Sequence, residues 1–406
     1  MPQLSGLFRV VKVGPRKEAL GEEGFYCLFV VLSELQGQSK FTALRKEETM
    51  KRLHVKVILL VAGMALFASA AFAQSTMGAL KFPSGKTYKI GFASREIVND
   101  ADRDIIAGAK KVIEAAGGTM VVTDGQTDPR KHNENIENLI NSGVDGIIIA
   151  LGNPQQLAPV VAKANARHIP VVTTTVGSTT PGALTDVGGD DAMMGVMMTR
   201  ALFSAIGYKG DVYVFWVPGA PVLEIRKAML EAMAKSYPQI VLHEVPTEHG
   251  PAKGQAQMMD ILTAHPQKGS IAGVWGAYDL LVSGPVESIR RAGRSEIKAA
   301  SIDGDVIGFQ MLYEDRSPFV ATVAQDIPHI GELAATDIVR ALNGQAASIP
   351  IREFTNFFTA TRSNGVKAIE TRFGPNAWAT LKLDKAQIMA RFPQTQDVGM
   401  VSSVVP

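Results

Sequence analysis

The chain has one cysteine, Cys27, in 406 residues. Beyond it no thiol is available, which excludes disulfides, cysteine-ligated zinc and thiol nucleophiles there. A thiol-free chain suits an oxidising compartment. A surplus of positive charge is also lacking: 41 Lys and Arg face 39 Asp and Glu, for a net charge of +2. That excess sits at the front, about +1 over residues 1–49 and about +3 over 50–74, leaving about −2 for the remainder. Nothing in this balance argues for nucleic acid. Catalytic signatures are missing too. There is no Gly-x-Ser-x-Gly elbow, no Gly-x-x-x-x-Gly-Lys phosphate loop and no His-Glu-x-x-His zinc motif. No Gly-x-Gly-x-x-Gly follows a strand-like run. The histidines are scattered, and no two carboxylates stand out as an opposed acid and base. Together these absences favour binding over catalysis, with no cofactor and no metal.

What is present begins with a basic start, Met50-Lys51-Arg52-Leu53-His54-Val55-Lys56, followed by an uncharged apolar run from Val57 to Ala70 and then Ala71-Phe72-Ala73. Basic, apolar, then small-x-small is the pattern of a secretory signal peptide over residues 50–73, cut after Ala73 and directing the chain to the periplasm. The run is short for a membrane span. An uncleaved anchor or a buried helix is the duller alternative. Because such a signal belongs at a protein's start, residues 1–49 read as an upstream extension from a start codon set too early, with a genuine cytoplasmic extension as the other reading.

From Tyr88 onward strands and helices alternate. Apolar runs at Tyr88–Ala93, Thr119–Thr123, Val144–Leu151 and Val171–Thr175 predict strands, and helical spacing marks Ala101–Ala116, Pro129–Ser142 and Pro154–Arg167. The rhythm repeats later, with strands at Val212–Val217, Ile240–Val245, Ile271–Trp275, Ile297–Ile302 and Phe319–Ala324. Helices are expected at Val222–Ser236, Lys253–Ala264, Leu280–Ala292, Val306–Tyr313 and Ile330–Leu342. Between the two runs stands Asp186-Val187-Gly188-Gly189-Asp190-Asp191, two glycines followed by acids able to cap the helix Ala192–Ile206. It reads as the crossing between two α/β lobes with a ligand in the cleft, or as an ordinary strand-to-helix loop. Continuous apolar strands between amphipathic helices predict parallel sheets covered on both faces.

Ligands of such sheets sit beyond the carboxyl ends of the strands. The loops there offer Ser94, Arg95, Glu96, Asn99, Asp100, Asp102 and Arg103 after the first strand, and Thr175 after the fourth. Later loops offer Glu224 and Arg226, Glu248 and His249, Tyr278 and Asp279, Asp303 and Asp305, then Gln325 and Asp326. Many of these groups form planar, bidentate hydrogen bonds. With Phe92, Trp216, Trp275 and Tyr278 near the same ends, they suit a polyhydroxyl ligand whose C–H faces stack while its hydroxyls bond. Each has a blander reading: Asp303 as a helix cap, Trp216 and Trp275 as core, His249 as solvated, and Arg95 and Arg103 as surface partners of Glu96 and Asp100.

Six short segments in register then bear a family likeness: Ile169-Pro170-Val171-Val172-Thr173, Val187-Gly188-Gly189-Asp190 with Gly195, His265-Pro266, Ala277-Tyr278-Asp279 with Gly284, Ser301-Ile302-Asp303-Gly304 and Thr322-Val323-Ala324-Gln325. From about Lys89 to about Gly344 the chain resembles the type I periplasmic binding proteins, in particular the ribose-binding-like branch serving ABC sugar importers. The resemblance implies two Rossmann-like lobes with parallel sheets, joined by three crossing segments, with the ligand cleft between them. The lobes would be residues 86–189 plus 326–351, and 190–325. Residues 352–406 would form a crossing segment and a C-terminal appendage.

The family's Asn-Pro-Phe-Phe loop is Asn99-Asp100-Ala101-Asp102 here, so the Asn is kept and both rings are lost. The Asp-Arg pair ending the fourth strand is Thr175-Val176, the second-lobe Arg falls at Ile225 with Arg226 one step away, the Asn before Asp279 is Tyr278, and a loop aromatic is His249. Asp303 and Gln325 match outright. The resemblance implies ligand contacts from Asn99, Arg226, Tyr278, Asp303 and Gln325, to which the loops add Ser94, Arg95, Asp102, Thr175 and His249. It implies a monomer that carries a sugar, polyol or similar small polar solute to an ABC permease in the inner membrane. A sensor handing its ligand state to a chemoreceptor is the alternative. A repressor core would need an N-terminal helix-turn-helix, which residues 1–49 do not show.

Overall fold

The computed structural model describes residues 80–397 and 399. Cys27, the extension over 1–49, the signal-like segment and the cut after Ala73 lie outside the described residues. Among the described residues no helix is long and apolar enough to cross a membrane.

The first half alternates β1 (Lys89–Ser94), α1 (Asp100–Ala115), β2 (Thr119–Asp124), α2 (Pro129–Asn141), β3 (Gly146–Ala150), α3 (Pro154–Asn165) and β4 (Val171–Thr174). Asp128 accepts from the Arg130 backbone N–H and Pro129 fills the first turn, so α2 starts where its sequence predicts. All five residues of β3 are buried, and their side chains divide between two apolar layers. Ile148 packs with Ile90, Phe92 and Val172 beneath α1 and a later helix. Ile147 and Ile149 pack with Ile136, Leu139, Leu157 and Val161 of α2 and α3. This is the two-sided covering that all-parallel strands require.

The stretch around Gly188 is both a strand and a crossing. Asp186–Gly188 forms β5 beside β4, and α4 (Asp191–Ala205) then enters the second half. There follow β6 (Gly210–Trp216), α5 (Pro221–Ala234), β7 (Ile240–Pro246), α6 (Ala252–Ala264), β8 (Gly273–Gly276), α7 (Asp279–Arg291), β9 (Lys298–Asp303), α8 (Val306–Tyr313) and β10 (Phe319–Gln325). Helix α9 (Ile327–Leu342) returns to the first half. It begins three residues before the predicted start at Ile330, because Pro328 in its first turn forfeits no helical hydrogen bond. Gly108 and Gly331 bring α1 and α9 together: a Cβ on Gly331 would stand 1.9 Å from the Ile105 carbonyl oxygen.

Beyond α9 the chain supplies one strand to each sheet, β11 (Arg352–Phe354) to the first and β12 (Phe357–Thr361) to the second. The first sheet runs β11-β5-β4-β3-β1-β2 and its pairings are parallel. The second runs β12-β10-β9-β8-β6-β7, parallel except for the antiparallel β10–β12 edge. The two sheets are thus joined by three passages of chain, after β5, after β10 and between β11 and β12.

The remaining residues form α10 (Gly365–Phe373), α11 (Ala377–Leu381) and α12 (Lys385–Arg391). Val366, Ile369, Leu381 and Ile388 of these helices belong to the core of the second half. Arg372, at the end of α10, reaches the other way and donates to Asp104 of α1 at 2.9 Å.

Candidate functional site

A cavity of about 110 Å³ lies between the halves, at the carboxyl ends of both sheets. Its scale is that of a site for one small molecule, since a ~150 Å³ cavity holds benzene. The three passages of chain bring the loops of the two sheets face to face there.

From the second half, Arg226 on the first turns of α5 is 5% exposed. Its Nε donates to Asp191 at 2.8 Å, and its Nη1 donates to the Ala277 carbonyl at 2.8 Å and to Asp303 at 3.3 Å. Gln325, closing β10, donates through Nε2 to Asp303 at 3.0 Å. Its Oε1 is buried with no hydrogen-bond partner among the described residues. A Cβ on Gly189 would meet that oxygen at 2.6 Å, which explains the second glycine of the crossing. Burial pushes the carboxyls of Asp191 and Asp303 up, and the Arg226 guanidinium opposes the rise in both.

Tyr278 accepts from the Gly250 N–H at 3.1 Å and lies 3.2 Å from His249 Nδ1. With the phenol donating to Nδ1, the neutral ring carries its proton on Nε2, a buried atom without a partner among the described residues. Burial lowers the His249 imidazole from its ordinary value, against the pull of Glu96.

The first half supplies Arg95, Glu96, Asn99, Asp102 and Thr175. Asn99 caps α1 by accepting from the Asp102 N–H at 2.8 Å, while Asp102 accepts from the N–H groups of Val98 and Asn99. Part of each side chain is therefore committed to the helix end. The Thr175 hydroxyl donates to the Thr174 carbonyl at 2.7 Å. Arg95 Nε and Glu96 Oε2 are buried without partners among the described residues.

Nine of the ten residues singled out from the sequence line the cavity: Arg95, Asn99, Asp102, Thr175, Arg226, His249, Tyr278, Asp303 and Gln325. Ser94 does not. It is 2% exposed and its hydroxyl donates to the Glu96 carbonyl, which ties the loop after β1 to itself. The aromatic wall is also smaller than expected. Phe92, Trp216 and Trp275 are core residues, so among those four only Tyr278 reaches the cavity. Arg103 does pair with Asp100 at 2.7 Å, but Glu96 is buried rather than part of a surface pair. The cap of α8 is Asp305, not Asp303: it accepts from the Gly308 N–H at 2.9 Å. Sequence reasoning passed over the aliphatic lining, Ile105, Leu151, Val222, Leu223, Ile327 and Ile330. Helical periodicity marks such residues as core, and Ile105, Leu223, Ile327 and Ile330 are core residues that also border the cavity, each at most 6% exposed.

The buried acids set a pH dependence. Burial pushes Asp102 and Asp186 up to about 6 and Asp305 and Asp337 up to about 7, from an ordinary 3.8. Between 3.8 and those values the folded chain holds protons that the unfolded chain has released, so stability falls as pH rises. His132 acts oppositely. Burial lowers it to about 4, and its contribution is lost as pH falls from 6.5. Four carboxyls outweigh one imidazole, so the melting temperature should be higher at pH 5 than at pH 7.5. Scanning calorimetry at the two values checks this, and a rise towards pH 7.5 would contradict the burial of these acids.

The model of the family described as periplasmic binding protein domain matches residues 90–346. The chain belongs to that family. It is 27% identical over 261 residues to the ribose import binding protein of Bacillus subtilis (strain 168), covering 64% of this chain and 83% of that protein. It is 26% identical over 189 residues to the xylitol-binding protein of Mycolicibacterium smegmatis, covering 46% of this chain and 53% of that one. An ABC transporter solute binding protein from Agrobacterium vitis with bound allitol superposes with a TM-score of 0.64 at 26% identity, covering 75% of this chain and all of the other. As a periplasmic binding protein, the chain has the two-lobed α/β fold in which the family's sugar and polyol transporter members are built.

Proposed function

We propose that this periplasmic binding protein is the solute-receiving component of an ABC importer and holds a sugar, polyol or similar small polar solute in the cavity between its lobes. The observation that carries the reading is the set of four buried, unpartnered polar atoms on residues lining one cavity: Arg95 Nε, Glu96 Oε2, His249 Nε2 and Gln325 Oε1. Buried polar atoms are expensive to leave unpaired, and these include both donors and acceptors, as hydroxyl groups require. They come from both lobes, so a solute satisfying them draws the lobes together. Names of the relatives point the same way: ribose import, xylitol binding and an ABC transporter protein holding allitol. None is named as a sensor, and the solute-carrying role is preferred on that ground. Delivery to the periplasm would follow from the signal-like stretch before Gln74, and the closed lobes would present themselves to a membrane permease.

A melting screen against sugars and polyols tests the reading. A solute at about 100 times its dissociation constant stabilises by about 2.7 kcal/mol. At ~2 °C per kcal/mol for a chain of this size, the melting temperature rises by about 5 °C. A screen in which amino acids shift the transition and no polyhydroxyl compound does would remove the assignment.

A further inference from the structure

Two arginines line the cavity, and the protein treats them differently. Arg226 is engaged by Asp191, Asp303 and the Ala277 carbonyl. Arg95, the residue after β1, has no ion pair among the described residues, and its guanidinium makes no hydrogen bond there although Nε is buried. The adjacent Glu96 does not neutralise it; that carboxylate lies instead 3.8 Å from His249 Nδ1. A desolvated donor on an unpaired guanidinium is costly, and an oxyanion is the group that fits its fork.

Arg95 also borders a second chamber, of about 150 Å³. The chamber and the cavity share Arg95, Gly152 and Pro221 in their walls, and of these three only Arg95 has a polar side chain. The rest of the chamber is neutral. Its polar side chains are the amides of Asn133, Asn153 and Gln156 together with His132, which burial lowers to about 4. Among the described residues no carboxylate lines the chamber, whereas Glu96, Asp102 and Asp303 line the cavity. An anion in the cavity would face three acids and an arginine already engaged. In the chamber it would face one unpaired arginine and no acid.

We infer that the preferred solute is an acidic sugar or polyol derivative, whose hydroxylated body lies in the cavity and whose carboxylate or phosphate reaches the second chamber and is held by Arg95. This rests on the solute-binding reading above and narrows it to a chemical class. Arg95 is then the residue that sets specificity. The three cavity acids fix the direction of entry, because a solute turned end for end would bring its anion against them.

Matched pairs measure the effect. Titration calorimetry on the purified protein would compare galactonate with galactitol and ribonate with ribitol as the carboxylate arm, and ribose 5-phosphate with ribose as the phosphate arm. The inference expects, for at least one pair, the anionic member to bind about 10-fold to 100-fold more tightly, the worth of a hydrogen-bonded charge. The arm that responds names the anion. Added salt should narrow the ratio. Arg95→Gln should bring the two members of that pair close to equal, and Arg95→Lys, a point charge without the fork, should keep part of the preference. Neither change breaks an ion pair among the described residues, so the unliganded melting temperature should hold within a few degrees. Pairs that bind equally in both arms, or neutral members that bind better, overturn the inference and leave sugar and polyol binding standing. A preference for the anion that survives Arg95→Gln overturns the role of Arg95. No binding by either member of any pair, together with a sugar and polyol screen that moves no transition, overturns both readings. The pair ratios on the unsubstituted protein decide the matter even if a variant does not fold.

Discussion

Replacing Asp279 by alanine should lower the stability of the protein by about 3–5 kcal/mol, the cost of leaving several buried hydrogen-bond donors without their acceptor. Asp279, at the start of α7, is fully buried. It accepts from the N–H groups of Gly304 and Asp305 at 2.9 and 3.2 Å, from the Thr322 hydroxyl at 2.9 and 3.0 Å, and from the Ser301 hydroxyl. A single carboxylate thus satisfies the turn between β9 and α8 and hydroxyls on two neighbouring strands. Alanine leaves those donors buried and unpaired. Burial, followed by the neighbouring acids Asp305 and Asp303, pushes this carboxyl well up from its ordinary value. Asparagine, which keeps an acceptor and removes the charge, should therefore cost much less than alanine. Urea midpoints of the two variants give the comparison; equal losses would mean that hydrogen bonding is not what this residue contributes. The turn it holds carries Asp303 into the cavity at φ 120, a left-handed backbone that a freed loop would abandon.

Arg226→Met should reduce affinity for the bound solute at least about 100-fold and stability by about 3–5 kcal/mol. Among the described residues the guanidinium is the cation ion-paired with both Asp191 and Asp303, and it also fixes the Ala277 carbonyl. Without it, two buried carboxylates lose their ion-paired partner and keep only the weaker pull of Arg352 on Asp191 and of Arg372 on Asp303. Adding Asp303→Asn to Arg226→Met should recover part of the stability, because one unpaired charge goes. It should recover none of the affinity, because the guanidinium is still missing, while the asparagine oxygen can still accept from Gln325. Chemical denaturation and calorimetry on the single and double variants separate the two effects. Recovery of affinity in the double variant would show that Arg226 acts only as a counter-ion.

Strand and helix periods along the chain announce the two lobes well, because fully apolar runs such as Gly146–Ala150 have no other comfortable environment than a covered parallel sheet. The rule that ligands sit beyond the strand ends leads to nine lining residues. It fails at Ser94, which stands at the right place in the chain but is the last residue of β1, pointing into its own loop. It also fails for the tryptophans, since strand-end position does not say which face a ring occupies, and Trp275 donates inward to the Thr199 hydroxyl at 3.2 Å. The burial of Glu96, with its Oε2 unpartnered among the described residues, was illegible for a different reason. In one dimension it sits beside Arg95 and invites a surface pair, whereas in the fold it is 4% exposed and its Oε1 lies 3.8 Å from Nδ1 of His249, more than a hundred residues later. Strands β11 and β12 were invisible because three and five residues of mixed polarity carry no readable period.

The arginine that ends α10 gives the C-terminal helices a mechanical meaning. They are rooted in one lobe through Val366 and Ile369, yet Arg372, its side chain 3% exposed, clasps Asp104 on the other. Parting the lobes along that edge means unfastening the clasp and giving up a charge-assisted hydrogen bond. Trimming the tail should therefore alter how readily the jaws open, although neither Arg372 nor Asp104 lines the cavity.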